Sequence, residues 1–430
     1  MRRLISVKYY DCIINGIKLG VYTNTSFNTF CIGVFVRAGS MFEDNSCNGI
    51  SHLLEHIIFR NLKGKYKENF YELLALNGID IDACTYKEFI YFSVSGPFYS
   101  FEFASELLNK IFDSIEISTD DFNREKNRIK AEIREKDEKR SLDYSYNKAV
   151  WHGTCIENSI LGNYSTVSKI SLKKLNQFRN KVFSKNNVYI VLTGNVSECD
   201  VEKLKNKLKD ININQTESFF ENKVKNTERF FNRNTELLVK QDYWHYVKIG
   251  FDVETAKYKG GVHDLIYAVL FKGDKALFYR FLSEDSPLVY SYDPVYEQYN
   301  DVSNISVRFE VADECLPEAF ENIVKTLKRL KTGDFNFESN LQSELASWQK
   351  TADNIDNLNW SIGYYNYILE TEPIDFSDEK FGRLNGISKQ QIMQAANEIF
   401  KTSNMTVAVK GDKRKIDIQQ INQILSELDR

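Results

Sequence analysis

Two histidines and a glutamate stand close together early in the chain, in the segment His52-Leu53-Leu54-Glu55-His56. An α-helix turns by about 100° per residue, so residues four apart lie about 40° apart on one face, and Glu55 falls beside both histidines. Two imidazoles on one face can ligate a cation, and the carboxylate beside them suits a general base better than a third ligand. The spacing therefore predicts half of a metal site that could activate water.

The alternative is that His52 and His56 are core residues hydrogen-bonded to the backbone, since Leu53-Leu54 and Ile57-Ile58-Phe59 around them are apolar. The pattern H-x-x-E-H is the inverted zinc-protease motif, and so short a motif carries a risk of chance matches. The whole chain has only five histidines, however, which makes chance placement uncommon. We therefore favour the metal interpretation over the core interpretation.

Composition describes a soluble, aromatic-rich chain of more than one domain. Its 430 residues exceed what one ordinary core holds. The 56 basic and 60 acidic residues nearly balance, and a net charge of -4 does not favour nucleic-acid binding. Neither a signal peptide nor a long apolar run is evident, so we expect no membrane segment.

Cysteine usage indicates a reducing compartment, and we expect a cytoplasmic protein. The cysteines are odd in number, scattered, and never in C-x-x-C spacing, which argues against both a disulfide framework and a thiolate zinc site. They are Cys12, Cys31, Cys47, Cys84, Cys155, Cys199 and Cys315.

Strands and helices alternate around the motif. Thr29–Arg37 is rich in β-branched and aromatic residues and predicts a strand, and the motif helix should begin near Asn48-Gly49. A second helix is predicted over Tyr66–Asn77, and strands over Ile79–Ser95. A long charged helix then follows the capping segment at 118–121, with Glu125 and Glu132 on the flank of its apolar stripe.

The second half of the chain repeats this order. We predict a first domain over 1–212, a linker over 213–234, and a second αβ domain over 235–430. The second domain should begin with a strand at Tyr246–Asp252 and a helix at His263–Leu282. The two halves look like a divergent internal duplication, but only the first carries the histidine motif.

These features resemble the pitrilysin-type zinc peptidases, and specifically the short two-domain members such as the subunits of mitochondrial processing peptidase and their bacterial relatives. The resemblance implies an α+β fold of two homologous αβ units, each a mostly antiparallel sheet flanked by helices, which together form half of a clam-shell chamber. Besides the motif, the matching segments are Ala38-Gly39-Ser40 with Glu43, Asn48-Gly49-Ile50-Ser51, Asp82-Ala83-Cys84-Thr85 with Glu88, Glu125 with Glu132, Ile160-Leu161-Gly162 and Thr193-Gly194-Asn195-Val196.

The resemblance also implies a set of functional residues. In that family two histidines and a more distant glutamate bind zinc, which implies one Zn²⁺ per chain held by His52, His56 and Glu132. Glu55 would act as the catalytic base. Glu125 would support a ligand histidine by accepting its free ring N–H.

Substrate contacts are implied for two regions. The family pairs an extended peptide with the strand that contains Ala83, Cys84 and Thr85, although an ordinary sheet strand is the alternative here. Family members also commonly hold substrate with an Arg seven residues before a Tyr in the second unit. Tyr290 is present, but Ser283 stands at the Arg position. A heterodimer with a homologous zinc-free subunit is therefore expected, rather than a homodimer.

The sequence thus predicts a zinc metalloendopeptidase that cleaves short extended peptides, with removal of a leader from a ribosomally made peptide as one form of the activity. The alternative is a non-catalytic structural or partner subunit of the same fold. Such subunits typically have a broken histidine motif, so the intact motif favours the enzyme.

Overall fold

The chain forms two αβ units, each a β-sheet covered by helices, which confirms the predicted fold class. The predicted linker at 213–234 falls largely outside the described residues. The computed structural model describes residues 7–136, 141–215, 233–239, 244–258, 261–299, 302–369, 384 and 386–430.

The first half of the chain contributes six strands and eight helices among the described residues. They are β1 (Val7–Ile14), β2 (Ile17–Asn24), β3 (Thr29–Arg37), α1 (Ile50–Tyr66), α2 (Phe70–Asn77), β4 (Asp80–Thr85), β5 (Phe89–Pro97), α3 (Phe101–Ile111), α4 (Thr119–Lys136), α5 (Leu142–Val150), α6 (Tyr164–Lys169), α7 (Leu172–Val182), β6 (Val188–Gly194) and α8 (Glu198–Lys209).

The second half contributes five strands and seven helices among the described residues. They are β7 (Arg233–Val239), β8 (Trp244–Val253), α9 (Val262–Phe271), α10 (Leu277–Tyr279), β9 (Tyr292–Gln298), β10 (Ser303–Ala312), α11 (Leu316–Thr332), α12 (Phe337–Asp353), α13 (Ile355–Gly363), α14 (Lys389–Ile399), β11 (Met405–Asp412) and α15 (Ile418–Ser426).

Each unit takes one helix from the other half of the sequence. The first unit consists of Met1–Lys136, Cys155–Glu221 and Gln349–Glu379, so it includes α13. The second unit contains the remaining residues and includes α5. Among the described residues, no helix is both long and apolar enough to cross a lipid bilayer.

The six-stranded sheet of the first unit has the order β1-β2-β6-β3-β5-β4. Only β2 and β6 pair in parallel, and the other neighbours are antiparallel. Every residue of β6 is buried, as expected of a central strand covered on both faces. Helix α13 packs on β3 and β6, where the buried amide of Asn359 donates to the carbonyls of Cys31 at 3.0 Å and Val191 at 2.8 Å.

The sheet of the second unit has the order β7-β11-β8-β10-β9. Strand for strand this repeats β2-β6-β3-β5-β4, including the parallel pair at the same place, here β7 with β11. The shared topology supports the predicted internal duplication.

Two predicted helix boundaries were wrong. The second helix begins at Phe70 instead of Tyr66, because α1 continues through Leu62, which is fully buried, as far as Tyr66. The single helix predicted over His263–Leu282 is interrupted after α9, where Gly273 adopts a φ of 75° that a continuous helix cannot contain.

Candidate metal centre

Glu43 anchors the first turn of α1, the helix that carries the histidine motif. One carboxylate oxygen accepts from the backbone N–H of Gly49 at 2.7 Å and from the side chain of Asn48 at 2.8 Å, and the other accepts from the N–H of Ser51 at 2.8 Å. These bonds satisfy donors that the start of a helix leaves without partners, and the negative charge suits that end of the helix dipole. Burial raises the pKa of Glu43 despite these hydrogen bonds.

Gly49 and Gly162 let two backbone segments meet at the start of α1. Gly49 has a φ of 95°, and a Cβ there would lie 2.6 Å from the carbonyl oxygen of Leu161. A Cβ at Gly162 would lie 2.2 Å from the carbonyl oxygen of Asn48. Only glycine fits at either position, so the loop after α5 fixes where the motif helix begins.

The structure brings together the three residues that the resemblance implied as metal ligands. One ligand atom from each of His52, His56 and Glu132 lies within 4.8 Å of the others, and no other such group of three was found among the described residues. His52 and His56 stand one turn apart on α1, with ring centroids 4.6 Å apart. Helix α4 packs on α1 and brings Glu132 Oε2 to 3.2 Å from His52 Nε2.

Glu125 also lies on α4, where it contacts the second histidine of the motif. Its Oε2 is 3.4 Å from His56 Nδ1, and only 4 % of the residue is exposed. A proton on Nδ1 would be donated to Glu125, which would leave Nε2 of His56 with a lone pair for a cation. The contact with His56 lowers the pKa of Glu125, and Arg128, 3.3 Å away, adds to this effect.

Glu55 points into the same cluster and is held by a residue of the neighbouring strand. The hydroxyl of Thr85, the last residue of β4, donates to Glu55 Oε2 at 2.5 Å. The same oxygen lies 3.6 Å from His52 Nδ1. Burial raises the pKa of Glu55, but the contacts with His52 and Thr85 outweigh it, and the net pKa is lowered. Glu55 is therefore ionised near neutral pH and fixed in orientation.

The electrostatic environment of the cluster favours a positive charge. Burial lowers the pKa of His52, but Glu55 and Glu132 outweigh it, and the net pKa is raised above its ordinary value. Burial likewise raises the pKa of Glu132, yet its contacts with Lys136 and His52 lower it overall. Two imidazoles and one carboxylate are also the donor set of a catalytic zinc site, which keeps a fourth position for water. These residues fit a zinc ion.

The strand with the implied substrate contacts is the edge strand of its sheet. Among the described strands, β4 pairs only with β5, so its other edge is open. Ala83 packs partly against the core and Cys84 is exposed, whereas Thr85 is buried against Glu55. The side chain of Thr85 thus contacts the candidate base, which sequence reasoning did not foresee.

Tyr290 and Ser283 lie in the second unit. Tyr290 is fully exposed, just before β9. The hydroxyl of Ser283 donates to the carbonyl of Val289 at 2.8 Å and so closes the turn that leads to Tyr290.

Sequence reasoning missed several residues beside the cluster. Arg60 donates to Asp121 at 3.2 Å through Nε, which ties α1 to the start of α4. Lys63 lies along the same face of α1. The signal that could have found both is helical spacing, because positions four and seven residues beyond His56 share its face.

A six-stranded mixed sheet with a His-Glu-His helix packed on its edge strand, and a second helix that contributes Glu125 and Glu132, is an arrangement suited to metal-assisted hydrolysis. Residues 21–163 match the family described as Insulinase (Peptidase family M16), and residues 169–339 match the Peptidase M16 inactive domain. The chain belongs to peptidase family M16, as the sequence motifs indicated.

Curated relatives agree with this assignment. An uncharacterized zinc protease of Bacillus subtilis, YmxG, is 22% identical over 329 residues, which cover 76% of this chain and 78% of the relative. The mitochondrial-processing peptidase subunit beta of Dictyostelium discoideum is 25% identical over 206 residues, which cover 47% of this chain and 44% of that subunit.

Solved structures share the fold over nearly the whole chain. A protease from Helicobacter pylori has a TM-score of 0.82 at 17% identity, and the match covers 94% of this chain and 99% of the protease chain. A peptidase M16 inactive domain from Pseudomonas fluorescens has a TM-score of 0.78 at 14% identity and covers 95% of this chain and 98% of its own. At these identities the likeness concerns the fold alone.

Proposed function

We propose that this protein is a zinc-dependent metalloendopeptidase that cleaves short, extended peptides. The observation that carries the proposal is the cluster of His52, His56 and Glu132, with the carboxylate of Glu55 held beside it. His52, His56 and Glu132 would hold the ion, and Glu125 would orient His56. The matches to M16 peptidases, one of them named a zinc protease, support the same conclusion.

When bound, zinc would act as a Lewis acid that polarises the scissile carbonyl and acidifies a water molecule. Glu55 takes the proton of the attacking water and passes it to the leaving amine, which needs an ionised and well-oriented carboxylate. Thr85 and His52 both contact Oε2 of Glu55, so Oε1 is the oxygen left to face the water.

The open edge of β4 supports extended peptides as the substrate class. An added strand would pair with the main chain beside Ala83 and Cys84, and main-chain pairing recognises the extended backbone more than the sequence. Removal of a leader from a ribosomally made peptide is the specific form of this activity that we propose. We place the protein in the cytoplasm, because all seven cysteines are free thiols.

The proposed active assembly is a heterodimer with a homologous zinc-free subunit. Ser283 stands where the family commonly has a substrate-holding Arg, and a relative of this chain is itself named as a subunit. The purified chain alone should therefore be weakly active, and a partner that supplies Arg and Tyr should activate it. A chain that light scattering shows to be a monomer or homodimer, yet cleaves peptides at rates typical of peptidases, would remove the heterodimer from the proposal.

Ser283→Arg gives a second test of assembly. The substitution should raise the activity of a homodimer and leave a heterodimer almost unchanged. Ser283→Ala is the matched control, since it removes the same bond to Val289 without adding a cation.

A non-catalytic partner subunit is the second candidate, because residues 169–339 match a family described as an inactive domain, and a chain of complex III from Candida albicans shares the fold with a TM-score of 0.76. Peptide cleavage separates these two candidates. If the protein is a peptidase, the zinc-loaded protein, assayed with and without its partner, should cleave unstructured peptides in a mass-spectrometric assay, and Glu55→Gln should not. A non-catalytic subunit should cleave none. Peptide hydrolysis that persists in Glu55→Gln would contradict the mechanism.

A further inference from the structure

A cleft of about 350 Å³ opens directly beside the metal cluster, lined by residues of α1, α2, β4 and α4. Glu55 and His56 of the motif are among its lining residues. Its apolar lining comes from Phe59, Phe70, Tyr71 and Ile81, and the rest of its lining is charged or polar. A substrate side chain in this cleft would lie next to the groups that act on the scissile bond.

Three cations line the cleft, and two of them have carboxylate partners. Arg60 donates to Asp121 at 3.2 Å, and Arg128 donates to Glu125 at 3.3 Å. Lys63 has no carboxylate within ion-pair distance among the described residues, and its ammonium lies 4.7 Å from the centroid of the Tyr71 ring. The Lys63 ammonium is therefore the positive charge that the cleft offers to a ligand.

The position of Lys63 on α1 suits recognition of a side chain of a peptide that is bound at the metal cluster. Lys63 is seven residues beyond His56, which is about two helical turns or ~10 Å along the same face. Side chains on a helix lean toward its N-terminus, which favours a stem directed toward the cluster, and Lys63 lines the same cleft as Glu55 and His56. A glutamate or aspartate of the substrate would place its methylenes against the apolar walls and its carboxylate at the ammonium.

We propose that this cleft selects peptides with an acidic side chain next to the scissile bond, and that Lys63 is the residue that recognises it. The inference rests on the proposed peptidase function and specifies its substrate class. Charge complementarity carries it, because Arg60 and Arg128 each pair with a carboxylate of the protein, whereas Lys63 pairs with none among the described residues.

The test compares otherwise identical, unstructured decapeptides with Glu, Gln, Leu or Lys at each position in turn. Wild-type protein should favour Glu over Gln at one position flanking the bond by about tenfold in kcat/KM, the lower end of the range for a hydrogen bond to a charged group. Lys63→Met should reduce this ratio to about one, and Lys63→Glu should favour the Lys peptide. Lys110→Met is the matched control, because Lys110 likewise lies over an aromatic ring, 5.8 Å from the centroid of Tyr66, and does not line this cleft.

A binding measurement separates this inference from the proposed function. Fluorescence titration of the Glu55→Gln variant with the same peptides needs no turnover, and the Glu peptide should bind more tightly than the Gln peptide only while Lys63 is present. Equal affinity for both peptides, or an unchanged preference in Lys63→Met, would overturn the role of Lys63 even if the enzyme cleaves peptides. If no peptide is cleaved but the binding preference still depends on Lys63, the proposed peptidase function is wrong and the inference about the cleft stands.

Discussion

The two units place equivalent pairs of helices on sheets of the same strand order, yet the carboxylates on these helices have different partners. In the first unit α1 and α4 follow β3 and β5, and in the second α9 and α12 follow β8 and β10 in the same sequence. Gly49 and Gly261 cap α1 and α9, both in the left-handed region, with φ of 95° and 80°. The two helices can therefore be aligned residue by residue from their caps.

This alignment places different side chains at the three motif positions. His52, Glu55 and His56 of α1 correspond to Asp264, Tyr267 and Ala268 of α9. At the three aligned positions, α9 thus has neither the two imidazoles nor the carboxylate of the base. The scaffold is common to both units, and these few side chains decide whether it can hold a metal ion.

In the second unit, a lysine supplies the positive charge beside a buried carboxylate. Glu344 on α12 is buried, and Lys272, just after α9, donates to its two carboxylate oxygens at 2.8 and 2.7 Å. Burial raises the pKa of Glu344, while Lys272 counteracts the shift. Glu344 is thus paired with a lysine of its own unit, whereas in the first unit the half-buried Glu132 lies beside His52 and, on our proposal, binds zinc.

Glu55→Gln should have the largest effect in the first unit. We expect kcat to fall by about 10²–10⁴ because the general base is lost, while zinc content stays near that of the wild type. Steady-state kinetics with metal analysis on one preparation measures both. Glu135→Gln, an exposed glutamate on α4, is the control, and a Glu55→Gln variant as active as the control would contradict the role of Glu55.

Lys272→Met should have the next largest effect, on stability, because it leaves Glu344 buried without its partner. We expect a loss of about 2–3 kcal/mol at pH 8, below the full value for a buried pair because the lysine is partly exposed. Denaturant unfolding measures this loss, and exposed Lys275→Met is the control.

The same variant has an expected pH dependence. The pKa of Glu344 is raised in the folded state, so its protonated form stabilises the fold at low pH and that stabilisation is lost as the pH rises through the folded pKa. The destabilisation by Lys272→Met should therefore shrink between pH 8 and pH 5. A loss that is constant with pH would show that the ion pair is not its cause.

Thr85→Val should have the smallest effect. The variant keeps the shape of the residue but removes the hydroxyl that holds Glu55, so we expect kcat to fall by about tenfold with little change in KM. Thr85→Ser keeps the hydroxyl and should restore most of the activity. A rise in KM at unchanged kcat would instead assign Thr85 to substrate binding, as the sequence first suggested.

Local sequence signals were sufficient where a segment depends on its own residues. The strand Thr29–Arg37 was predicted with its observed bounds, because β-branched and aromatic residues dominate it. The start of α1 was predicted to within a few residues of Gly49. Helical spacing predicted that His52 and His56 share a face, but the choice of Glu132 came from family resemblance, because nothing local indicates which glutamate of α4 meets α1.

Features that depend on distant segments could not be predicted. Helix α13 mixes polar and apolar residues, and its contacts with β3 and β6 include Asn359, which is fully buried and bonds to two strand carbonyls. Glu43 stood out only as a family match, since its role depends on the backbone of Gly49 and Ser51. Propensity and periodicity do not encode such contacts.

The zinc content of the purified protein tests the central claim most directly. Metal analysis of the wild type, Glu132→Gln and Glu135→Gln, each shown to be folded by circular dichroism, compares a proposed ligand with an exposed glutamate of the same helix. We predict about one zinc per chain in the wild type and in Glu135→Gln, and much less in Glu132→Gln. Near-stoichiometric zinc in Glu132→Gln, or none in the wild type, would contradict the account.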